Sequence, residues 1–149
     1  MKKRDIITIF LNVFLLLIGL WIYISFRPRS LLIFNWLRPL NFDDFFNSIR
    51  VISLPIESKI PKWIIFSAPD GLWLFSSISF TLILWDFNIS YRNIFWIIIL
   101  PLCAILSEFA QFFGIIKGTY DINDLIAYLV ACCLIFIYIC LQKFFLNHD

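Results

Sequence analysis

Six side chains with chemistry to offer stand inside or beside apolar runs: Asp70, Glu108, Gln111, Asp121, Asp124 and Tyr128. Carboxyls so placed can act in three ways. Together they can hold a divalent cation such as Mg²⁺ or Ca²⁺ through oxygen ligands. One of them can pass a proton to or from an amine or a hydroxyl. Or they can serve packing alone, as Glu108 would by bonding Gln111 or Tyr128 across helices, and Asp121 by capping the helix that follows it. If the chain is an enzyme, Glu108 and Asp124 are the catalytic candidates. Asp70, Gln111, Asp121 and Tyr128 are then the ligand-binding ones. No Ser-His-Asp or Cys-His set is available, because the one histidine is His148, near the C-terminus. Cys103, Cys132, Cys133 and Cys140 all sit in apolar runs without metal-ligand spacing and read as small hydrophobes.

The elements that position these groups follow from composition. The 149 residues are 62% hydrophobic and 15% charged, where soluble domains average about 25% charged. A soluble fold of this length could not cover so much apolar surface, whereas a bilayer can. The net charge of +2 lacks the basic footprint of a nucleic-acid binder. About 20 apolar residues cross the hydrocarbon core. Four segments reach that length, at about 6–26, 63–85, 94–116 and 125–146. The expected fold is therefore all-α, an integral membrane four-helix bundle in one domain. The first segment follows Lys2, Lys3 and Arg4 but is too long for a secretory signal and lacks a small-residue cleavage site. Trp63, Trp85 and Trp96 mark the membrane interfaces.

The first loop carries a further element. Phe42, Phe45, Phe46 and Ile49 fall on one face of a helix over about 41–52, with Asp43, Asp44, Asn47, Ser48 and Arg50 opposite. Asn41 is the expected N-cap. This amphipathic helix should lie in the membrane interface or cover the bundle. Lysines and arginines are split between the two sides, so orientation rests on the N-terminal basic triplet, which places both termini in the cytoplasm.

A charge at the bilayer centre costs about 2.5–3.5 kcal/mol even on the mildest scale. Asp70 falls roughly 10 Å into the second span and Glu108 roughly 12 Å from the end of the third. The start of span two, the end of span three and the start of span four share a side. Asp70, Glu108, Gln111, Asp121 and Asp124 should therefore gather in one leaflet. Ser67, Asp70, Ser77 and Thr81 form a polar stripe on span two. Arg27, Arg29, Lys59 and Lys62 lie on the same side and could meet anionic headgroups.

The stretch Ser107-Glu108-Phe109-Ala110-Gln111, followed by Lys117-Gly118-Thr119-Tyr120-Asp121-Ile122-Asn123-Asp124, resembles the VanZ-like family. That family pairs a Glu-x-x-Gln near one helix end with a glycine turn and an Asp-x-x-Asp entering the next helix. Pro69-Asp70-Gly71 resembles the acidic motif of its preceding helix, so the likeness covers roughly residues 60–140. Better-known members carry Gly-Arg in the turn and an Asn where Tyr128 stands. The family's name-giving member is associated with resistance to teicoplanin, a glycopeptide antibiotic. The low glycine count and the richness in Ile, Phe and Asn suggest an AT-rich bacterial genome, and hence a bacterial cytoplasmic membrane and cell envelope.

Two functions are open on these residues. The first is a one-leaflet acidic pocket that binds or processes a lipid or cell-envelope molecule. The second is a non-catalytic membrane scaffold or subunit, docking a membrane protein partner or a second copy of itself. A transporter is a weaker third, since four helices without an inverted repeat do not enclose an alternating-access site.

Overall fold

The computed structural model describes residues 3–146, and Lys2 and His148 lie outside them. Every regular element among the described residues is helical. Helix α1 is Lys3–Phe26, α2 Leu32–Leu37, α3 Asp43–Glu57, α4 Lys62–Phe66, α5 Ala68–Leu84, α6 Ile94–Phe112 and α7 Ile122–Leu146. Three of these, α1, α6 and α7, are long and apolar enough to cross a membrane. Phe10 and Phe14 on α1, Phe95 and Leu106 on α6, and Leu129 and Phe136 on α7 all point outward. Such surfaces favour lipid over water as their surroundings, and the chain is accordingly a membrane protein.

Helix α5 is shorter, at 17 residues. The expected second span is broken at Ser67, because Pro69 has no amide hydrogen to continue the ladder from α4. Helix α5 packs against α1, α6 and α7 and so forms the centre of the fold. Its contact with α7 depends on small residues. A side chain on Gly71 would meet Ala127 Cβ and the Ala127 carbonyl oxygen, each at 3.1 Å. On its α1 side, the Trp73 indole lies directly on Gly19, where an added Cβ would stand 2.6 Å from Nε1. Close backbone approach through glycine and alanine is how membrane helices gain packing energy. Leu74, Ile78 and Leu82 then form one core with Ile97, Ala131, Ile135 and Ile139.

The loop helix is displaced from its expected position. Asn41 does not cap it. Its φ of +55° closes the short 3-10 turn Arg38–Leu40 instead, and α3 begins at Asp43. It continues past Pro55 to Glu57, since a proline in the last turn removes only one hydrogen bond. The face that α3 turns to the body is also shifted. Phe46 is buried with Ile24 and Phe34, while Phe42 and Phe45 are exposed. Ser53 donates to Ser25 at 3.0 Å. Arg50 donates through Nε to the Ile24 carbonyl at 2.8 Å and through Nη2 to the Arg27 carbonyl. These are end carbonyls of α1, so the guanidinium caps that helix where its dipole is negative. Burial, with Arg29 adding to it, holds the Arg50 pKa below its ordinary value.

The third span ends at Phe112 rather than 116. Gly114, at φ +68°, turns the chain out of the helix. The last helix starts at Ile122.

Candidate functional site

The candidate site lies where the end of α1, the start of α5, the end of α6 and the start of α7 meet. Pro69 opens α5 and places Asp70 in its first turn. There the Asp70 carboxyl accepts a hydrogen bond from Arg27 Nη2 at 3.1 Å. Arg27 also donates to the Phe66 carbonyl and stacks between the rings of Tyr23 and Phe66, 5.5 and 5.3 Å from their centroids. The sequence suggested that Arg27 faces headgroups. It instead turns inward, where the Asp70 carboxyl and the carbonyl left free at the α4–α5 break accept its N–H groups.

Glu108 is buried on α6, and its Oε2 accepts the backbone N–H of Asp121 at 3.4 Å. One turn later, Gln111 lies over Gly118, whose φ is +154°, and a Cβ there would stand 2.6 Å from the Gln111 amide. The Glu-x-x-Gln pair and the glycine turn are thus physically joined. Glu108 holds the start of α7, and Gln111 closes over the turn that leads to it.

Asp121 Oδ1 accepts the backbone N–H of Asn123 at 2.9 Å and its side-chain amide at 2.8 Å, so Asp121 caps α7. Asp124 lies one turn inward. Its carboxyl faces the hydroxyl of Ser67 and lies within electrostatic reach of Arg27, Asp121, Asp70 and Glu108. Tyr128, a further turn along α7, senses Asp70, Glu108 and Asp124.

The hydrogen bonding here is incomplete. Four buried side-chain polar atoms lack a partner among the described residues: Asn12 Oδ1, Arg27 Nε, Ser67 Oγ and Asp124 Oδ1. Three of them belong to this site. Buried polar atoms are normally satisfied, and those that are not tend to mark a bound water, ion or ligand.

The acids do not form an oxygen cage. Among the described residues, no three carboxyl, imidazole or thiol groups stand close enough to hold a metal ion. Asp70 is turned to Arg27 and Glu108 to the Asp121 backbone, away from the convergence that a Mg²⁺ or Ca²⁺ site needs.

The expected stripe on span two divides. Ser77 and Thr81 donate back to the Trp73 and Ser77 carbonyls of their own helix. The buried polar contacts of α5 come from Ser76 and Ser79, which meet Asn12 of α1. An asparagine in the apolar run of span one was the available signal for this contact. An apolar groove of about 650 Å³ runs along α5 and α7, lined by Leu15, Trp63, Leu72, Phe75, Ala127 and Leu134. No carboxyl lines the groove, though Ala68 and Asn123, next to Ser67 and Asp124 in the chain, stand at its edge.

No protein-family model matches this chain, and no curated protein or solved structure does either.

Proposed function

We propose that this chain is a VanZ-like integral membrane protein whose acid cluster binds or processes a lipid or cell-envelope molecule. The observation that carries this reading is the set of unpartnered atoms at one site: Arg27 Nε, Ser67 Oγ and Asp124 Oδ1. They supply a donor and two acceptors, which suits a polar headgroup better than a dry packing contact. The Glu108-x-x-Gln111 and Gly118-Thr119-Tyr120-Asp121-x-x-Asp124 pattern supports the family and, through it, a link to glycopeptide resistance, while the composition supports a bacterial cytoplasmic membrane. Helices α4 and α5 are read together as a fourth crossing, since residues 62–84 supply roughly 34 Å of helix. Four crossings put both termini on one side, here the cytoplasm, and leave α3 in the interface with Phe45, Val51 and Ile52 exposed to lipid. In a catalytic version of this reading, Glu108 and Asp124 exchange the proton, and Asp70, Gln111, Asp121 and Tyr128 shape the pocket.

A second reading has its own support. Glu108 bonds the Asp121 backbone and Gln111 packs on Gly118, as expected if the motif only fastens α6 to α7 in a scaffold or subunit. Native mass spectrometry of the wild type beside Glu108→Gln separates the two. Glutamine keeps the acceptor and the shape. A lipid or headgroup adduct on the wild type that is lost from the folded variant supports the site. An adduct absent from both supports the scaffold, while one unchanged in the variant assigns Glu108 to fastening α6 to α7 and leaves the ligand to Arg27, Ser67 and Asp124.

A further inference from the structure

The site holds more acid than base. Asp70 and Asp124 lie near one guanidinium, that of Arg27, and Glu108 and Asp121 lie close to Asp124. Arg27 is already committed to Asp70. Asp124 is left with Oδ1 buried and unpartnered. Ser67 is 1% exposed and turns its hydroxyl to that carboxyl, and no other group takes the lone pairs of its Oγ. An uncompensated carboxylate away from water is costly, and a bound cation relieves it. The residues are not arranged to hold a metal ion. A primary ammonium differs from a metal in what it asks of its site. It brings three N–H donors at hydrogen-bond distance and needs only two or three acceptors on one side. Asp124 Oδ1 and Ser67 Oγ are two such acceptors, and the unpartnered Arg27 Nε–H is a donor for an anion beside them.

Resting on the reading of this site as a ligand site, we propose that its ligand is the headgroup of a primary-amine phospholipid. The ammonium is held by Asp124 and Ser67, and the phosphate lies toward Arg27. A lipid-borne amine fits better than a free one, because Asp124 lies in the first turn of α7, beside the outward-facing Ile122 and Ile126.

The test titrates the purified full chain with phosphatidylethanolamine, phosphatidylcholine and phosphatidylglycerol of identical acyl chains, and with soluble phosphoethanolamine. Adducts are counted by native mass spectrometry. The expected result is a preference for phosphatidylethanolamine of about tenfold or more, the size of a lost charge-assisted hydrogen bond. Ser67→Ala and Asp124→Asn, at unchanged melting temperature, should each abolish that preference. Ser67→Ala removes only a hydroxyl and guards against a misfolded Asp124→Asn. Equal binding of phosphatidylcholine or phosphatidylglycerol overturns the ammonium proposal, while sensitivity of that binding to Asp124→Asn would leave the site reading standing. Soluble phosphoethanolamine bound as tightly as the lipid overturns the lipid source. A preference that survives both variants, or no adduct with any probe, overturns the proposal, and the latter overturns the site reading too.

Discussion

Arg27 Nη2 lies 3.1 Å from Asp70 Oδ2, joining the end of α1 to the first turn of α5. Both side chains are largely withdrawn from solvent. Removing one partner strands the other, which costs about 3 kcal/mol for a buried pair. Arg27→Gln and Asp70→Asn should each lower the melting temperature in detergent. The double variant should recover part of the loss, and a double-mutant cycle measures the coupling. Additive losses would mean that the pair contributes nothing.

Gly118 carries two constraints, a φ of +154° and the Gln111 amide above its Cα. Gly118→Ala should cost about 1–3 kcal/mol, the range for a side chain in a sparsely populated backbone region. Adding Gln111→Ala removes the clash but not the backbone strain. Thermal unfolding of the double variant should therefore show only partial recovery. Full recovery would place the whole effect in the Gln111 contact.

Asn12 donates to Ser79 Oγ at 2.9 Å and is entirely buried. Between membrane helices such bonds average about 0.6 kcal/mol, with a maximum near 1.7. Asn12→Ala should fall in or slightly above that range, because it also leaves a small void. Chemical or thermal unfolding checks it. A neutral outcome would show that the unpartnered Oδ1 cancels the gain.

Arg50 fastens α3 to the carbonyls of Ile24 and Arg27. Arg50→Ala should raise amide hydrogen exchange across residues 32–57 while leaving α5 and α7 protected. Uniform loosening of every helix would mean that α3 is part of the main folding unit.

The helical class, the long apolar helices and the meeting of Asp70, Glu108 and Asp124 at one end were legible in the sequence. Hydropathy locates the helices, and their alternating direction places the acids. The partners of those acids were not legible. Arg27 sits just beyond an apolar run, where a cation facing lipid headgroups reads the same as one turned inward to Asp70. Asn12 is a single polar residue in a long span, and only the packing of α1 on α5 reveals Ser76 and Ser79 opposite it. Asn41 reads as an N-cap, yet the same residue type also tolerates the left-handed conformation that it adopts. The break at Ser67 was marked by Pro69 but hidden within a continuous apolar stretch.

Ser67 of the α4–α5 junction faces Asp124 of α7 at one end of the fold. Ser67→Cys with Asp124→Cys, in a chain whose four native cysteines are replaced by alanine or serine, tests this in the membrane itself. Oxidation should form an intramolecular disulfide as readily as in a control pair, Asn12→Cys with Ser79→Cys. A control pair that closes while the 67–124 pair stays open would contradict the placement of the acids around Ser67.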